Sequence, residues 1–135
     1  MIERDSHPEM ARVWAEEYKY DLWLKVEVAV CEAWGQMGVI PPEDVDKIRR
    51  ARFDLQRTAQ YERETHHDVT AFLRSVADSL GAEARWVHLG LTSYDIVDTA
   101  LSLRLVEAAG ILERDVAALT SVLEKQALRY KDTLM

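Results

Sequence analysis

"LGLTSYDIVDTALSLRLVEAAGIL", residues 89–112, decides the fold. Its first half turns from loop into helix. Gly90 lets backbone approach closely, Thr92 and Ser93 put two hydroxyls at the turn, and Thr92-Ser93-Tyr94-Asp95 forms a capping box in its Ser/Thr-x-x-Asp/Glu form. From Ile96 onward apolar residues fall on nearly every side: Ile96, Val97, Ala100, Leu101, Leu103, Leu105 and Val106, then Ile111, Leu112, Val116, Leu119, Val122 and Leu123. A helix that is apolar all round is buried on several sides. A chain of 135 residues can hardly surround it alone, so partner helices are implied, from more chain or from other subunits. The sequence stops at Asp132-Thr133-Leu134-Met135 with neither a Gly stop nor a polar tail, and reads as an unfinished fold. The functional question is whether the Thr92-Ser93 helix start only closes a helix or also holds an anion.

The rest of the chain is helical in pattern. Ser6-His7-Pro8-Glu9 reads as a capping box with proline in the first turn, followed by Met10, Val13 and Trp14 on one face. Leu22, Trp23, Val26, Val30, Ala33, Trp34 and Met37 follow at helical spacing, and Gly38 with Pro41-Pro42 ends that run. A short helix is expected over Glu43 to Arg50 and another over Asp54 to Glu64. Val69, Phe72, Leu73, Val76, Ala77 and Leu80 define a further helix, with Gly81 expected as its C-cap. Nothing alternates with a period of two, so the expected fold class is all-α.

Composition narrows the function classes. At 48% hydrophobic and 30% charged, the chain is globular rather than disordered. A net charge of −7 argues against a nucleic-acid partner, so any bound anion must be held by a few placed groups. Residues 1–5 carry no apolar signal segment, and no run reaches membrane-spanning length, so no membrane partner is expected. Cys31, the one cysteine, lies among Val28, Ala29, Val30 and Ala33 and reads as a buried thiol. With no disulfide framework, a cytoplasmic location is the default.

"ETHHDVTAF", residues 64–72, puts two histidines and a carboxylate at a helix start. Histidine carries protons near neutral pH, and Asp68 can hold His67 in one tautomer. The plainer alternative is that Asp68 answers the helix dipole while His66 and His67 are surface residues. Adjacent histidines diverge, and no i, i+4 histidine pair or cysteine cluster exists, so no metal site is expected. His88 precedes the Thr92-Ser93 turn, either as a ligand or as a half-buried ring satisfied by backbone. Arg85 is a charge partner for an anion there, or else a solvated arginine. There is no P-loop, dinucleotide fingerprint or nucleophile elbow.

Taken together, "MIERDSHPEMARVW", "WLKVEVAVCEAW", "ARFDLQRTAQYERETHHDVTAFL" and "ARWVHLGLTSYDIVDTALSL" resemble the adenylosuccinate lyases of the fumarase/aspartase superfamily from end to end. The Gly-x-Thr-Ser-x-Asp-x-x-Asp-Thr-Ala segment supports the superfamily, and the Met-Ile-x-Arg start with His-Asp-Val-x-Ala-Phe narrows it. The resemblance implies a cofactor-free β-elimination in purine biosynthesis. Adenylosuccinate is split into AMP and fumarate, and the succinylamino-carboxamide ribotide is split likewise. A base removes a proton beside a carboxylate, fixed donors stabilise the aci-carboxylate, and an acid protonates the departing nitrogen.

Carried over residue by residue, Arg4 matches a substrate-binding arginine. His67 matches a histidine that contacts substrate or shares in proton transfer, with Asp68 orienting it. His88 matches a histidine supporting substrate binding, and Thr92 and Ser93 match the anion cradle. Asp5 replaces a tyrosine, His66 replaces an arginine, and Tyr94 replaces a small hydroxyl residue. Asp5 and His66 stand at substrate-binding positions and bear on phosphate affinity. The family's acid histidine and its base serine match no residue of this chain. The resemblance also implies a homotetramer with shared active sites. It divides the chain into an N-terminal helical domain, residues 1–110, and the start of a central helical bundle, residues 111–135. The alternatives are another lyase of the superfamily, acting on argininosuccinate or carboxymuconate, and a non-catalytic helical interaction domain.

Overall fold

A proline at the first position of a helix forces the residue before it into extended backbone. That rule sets the first helix of the structure, a computed structural model that describes residues 6–134. His7, extended at φ −68° and ψ 127°, takes the N-cap position of α1 (Pro8–Val13) without a side-chain cap bond. The helix start expected at Ser6 is therefore displaced by one residue and carries no capping box, and Glu9 instead pairs with Arg114 far along the chain.

The remaining elements are α2 (Glu16–Gln36), α3 (Pro42–Ile48), α4 (Leu55–Thr65), α5 (Asp68–Ala77), a 3₁₀ turn (Ala82–Trp86) and α6 (Ser93–Arg129). No strand occurs among the described residues, and the fold is all-α as expected. α2 closes with Gly38 in left-handed backbone (φ 75°). Gly38 N–H bonds Gly35 O at 3.0 Å and Val39 N–H bonds Trp34 O at 2.9 Å, a Schellman arrangement. α5 departs from expectation. It ends at Ala77 with Asp78 as C-cap, and tight i→i−3 bonds at Ser79 and Leu80 carry the chain away before Gly81. Leu80 kept the helical period because it packs against the core from a turn.

The core centres on rings. Tyr20 and Phe72 stack at 5.5 Å with planes 8° apart, and Trp23 meets both edge-on at 5.2 and 5.5 Å. Ile96 and Ala100 bring the first turns of α6 onto this cluster. Cys31, Ile40, Val45 and Ile48 form a second cluster, in which burial pushes the Cys31 thiol up to about 11. Val13, Ala108 and Ile111 form a third. α1 is strapped antiparallel to α6 by Glu9–Arg114, by Arg12 on Glu107, to which Tyr18 of α2 also donates, and by Arg104 Nε donating to Val13 O at 2.9 Å.

Burial along α6 stops at Ile111. Leu112, Val116, Leu119, Val122, Leu123 and Leu128 are all more than half exposed. No helix of the described residues is long and apolar enough to cross a membrane.

Candidate functional site

Two helix starts carry the candidate residues. The first is the turn into α6. After Val87 the backbone takes left-handed conformations at His88 (φ 68°) and Gly90 (φ 75°), and only the glycine does so without strain. A Cβ at Gly90 would lie 3.5 Å from Trp34 Cζ2, and the Trp34 indole N–H donates to Leu89 O at 3.1 Å. Thr92 takes the N-cap position, and the Asp95 carboxylate reaches back to accept the Thr92 N–H at 2.8 Å. With that N–H occupied, the N–H groups of Ser93 and Tyr94 are the donors left pointing out of the helix start. Ser93 is half-buried, and the Tyr94 ring is exposed.

His88 is held from behind by Glu27 of α2. Its backbone N–H donates to Glu27 Oε2 at 2.9 Å, and its ring Nδ1 lies 2.7 Å from Oε1. The Glu27 side chain is 1% exposed. Burial pushes its carboxyl up, opposed by the hydrogen bonds and charge of His88. His88 is thus half-buried, but its partner is a carboxylate and not only backbone. Glu27 was missed by sequence reasoning, although a signal existed: Trp23, Glu27 and Cys31 follow one another at i+4 on the buried face of α2. A carboxylate at such a position requires a partner.

The second start is the α4–α5 corner. His66 closes α4 in left-handed backbone (φ 53°). His67 is the N-cap of α5, its Nδ1 accepting the Thr70 N–H at 3.3 Å. A neutral His67 that accepts at Nδ1 carries its proton on Nε2. Asp68 lies 3.6 Å from the same Nδ1 and accepts the Val69 N–H at 2.7 Å. The corner is open to solvent, with His66, His67 and Asp68 all exposed.

The structure gathers His66, His67 and Asp68 at one corner and His88, Thr92 and Ser93 at the other. No hydrogen bond or ion pair joins the two groups among the described residues. Arg4 and Asp5 lie outside the described residues. Arg85 lies 3.9 Å from Asp44 and stacks over Trp86 at 4.7 Å, so its charge is engaged away from the cradle. A groove of about 660 Å³ beside the turn is walled mainly by apolar residues, Val26, Val30, Trp34, Leu91 and Leu103 among them, with Lys25 and Asp95 as its charged members.

Residues 3–135 match the family model described as "Lyase". The chain belongs to this lyase family. The lyase chain is 48% identical to adenylosuccinate lyase of Bacillus subtilis (strain 168) over its full length, and spans 32% of that relative. In fold it is similar to a fumarate lyase from Mesorhizobium sp. BNC1, with a TM-score of 0.85 and 19% identity, covering 95% of this chain and 31% of that one. A 3-carboxy-cis,cis-muconate lactonizing enzyme from Pseudomonas putida gives a TM-score of 0.84 at 26% identity, covering 92% and 30%. The lyase chain thus spans about a third of the length of the relatives it matches.

Proposed function

We propose that this chain supplies the first part of an adenylosuccinate lyase. Such an enzyme breaks the C–N bond of adenylosuccinate, releasing AMP and fumarate, and treats the succinylamino-carboxamide ribotide of purine biosynthesis in the same way. The carrying observation is the 48% identity to the Bacillus subtilis adenylosuccinate lyase over the whole chain. The capped α6 start agrees with it, because both substrates carry a phosphate and carboxylates, and N–H groups at a helix start favour such anions. In this reading Arg4, His66, His67, Asp68, His88, Thr92 and Ser93 bind or orient substrate, with His67 sharing in proton transfer and Asp5 beside the phosphate. The elimination balances within the substrate: a proton leaves the carbon beside a carboxylate, the C–N electron pair returns to nitrogen with a proton, and the fumarate double bond forms.

The reading extends to assembly and location. Residues 1–110 form the N-terminal helical domain and 111–135 begin a central bundle, where the exposed leucines of α6 meet partner helices in a homotetramer. The enzyme works in the cytoplasm without cofactor or nucleic acid, in keeping with the buried free thiol of Cys31 and the net charge of −7. The test is direct. A complete protein carrying this chain is incubated with adenylosuccinate, and AMP and fumarate are quantified. Equimolar release is expected; neither product appearing would overturn the reading.

A further inference from the structure

We propose that Glu27 is a positioning residue for His88, its buried carboxylate fixing the ring as the Nδ1–H tautomer and leaving Nε2 as the acceptor that meets an N–H or O–H donor of the substrate. The role in substrate binding rests on the lyase reading above; the clamp itself rests on geometry.

Glu27 is one of four buried polar or charged side chains among the described residues, and both its oxygens are spent on a single residue 61 positions away. Oε2 accepts the His88 backbone N–H at 2.9 Å, and Oε1 meets Nδ1 at 2.7 Å. The two His88 bonds favour the ionised carboxylate against its burial, and an ionised carboxylate only accepts, which places the ring proton on Nδ1. Which ring nitrogen carries the proton is set by the bond the other one makes. Nε2 makes no hydrogen bond among the described residues and is the atom left for a ligand. The two bonds act together. The first secures a left-handed backbone (φ 68°) that a histidine resists, and the second sets the ring on that backbone. The turn that carries His88 continues within four residues into the Thr92 helix start, so ring and cradle share one rigid support.

The experiment has two arms. In the 135-residue chain labelled with ¹⁵N-histidine, long-range ¹H–¹⁵N correlation reads the tautomer of His88 at a pH where the ring is neutral. Nδ1–H is expected in the unsubstituted chain. E27Q keeps an oxygen for the backbone N–H but turns its amide NH₂ toward Nδ1, so the proton should move to Nε2. In a complete lyase carrying this chain, E27Q should raise KM about 10–100-fold with a smaller change in kcat, the usual cost of losing an orienting partner. An Nε2–H tautomer in the unsubstituted chain overturns the proposal whether or not E27Q folds. So does an unchanged tautomer in folded E27Q, or a switched tautomer with unchanged kinetics. An unsubstituted complete protein that keeps the Nδ1–H tautomer but releases no fumarate sinks the lyase reading and leaves the clamp standing.

Discussion

The starts of α5 and α6 look alike and are built differently. Each is preceded by a histidine in left-handed backbone, His66 at φ 53° and His88 at φ 68°, the two non-glycine residues so placed among those described. At α5 the fixing bonds are short in sequence: His66 N–H to Glu62 O, and Thr70 N–H to the His67 ring. At α6 the cap is equally local, Asp95 on the Thr92 N–H, but the turn leading into it is held from another helix, Glu27 acting across 61 residues and Trp34 across 55. The first start can form as soon as its own segment folds. The turn before the second is held only when α2 is packed behind it, so its geometry is tied to the core.

That contrast can be broken most forcefully at His67. In a complete lyase carrying this chain, His67→Ala should lower kcat/KM by about 10²–10⁴, the range for losing a placed acid–base or charge-stabilising group. Because His67 also caps α5, stability should fall as for a lost cap, by about 0.5–2 kcal/mol. Full kinetics in a folded variant would make the α5 start purely structural. Next in size, Glu27→Ala in the 135-residue chain should cost about 1–3 kcal/mol by urea titration, since two His88 donors lose their acceptor inside the fold. Asp68→Ala should cost less than about 1 kcal/mol, because its bond is local and its side chain is half exposed. Equal losses would erase the distinction between the two starts.

Smaller effects sharpen the α6 start. Thr92→Ala should remove about 0.5–2 kcal/mol as a lost cap. Ser93→Ala should stay within about 0.5 kcal/mol in stability yet raise KM in the complete enzyme. Exchanged behaviour would reverse the division of labour between the two hydroxyl residues. The smallest signal is chemical. Cys31 Sγ lies 3.6 Å from Trp86 O, behind the turn, with its thiol pushed up to about 11. At pH 8 about one thiol in a thousand is ionised, so iodoacetamide should leave the native chain unmodified, and E27Q should label faster as α2 loosens from the turn. Rapid labelling of the unsubstituted chain would mean that this packing opens freely.

What the sequence disclosed follows the same line between local and distant bonds. The all-α fold and the Thr92–Asp95 cap depend on residues within a few positions of each other, and both were readable. The Ser6 box was misread because Pro8 forces His7 into the cap position. Gly81 was misread because Leu80 holds the helical period while lying in a turn. Glu27 announced itself by its register with Trp23 and Cys31, but nothing along the chain names His88 as its partner. That pairing depends on how α2 crosses the turn before α6, which is a property of packing.

The length of α6 has a mechanical consequence. At about 1.5 Å per residue its 37 residues extend roughly 55 Å, and the stretch past Ile111 is a bare rod of about 27 Å. A displacement of about 1 Å at the far tip corresponds to about 1° of tilt at the base, where Thr92 and Ser93 sit. In the proposed assembly, helices packed on the rod act on a lever whose short end carries Thr92 and Ser93.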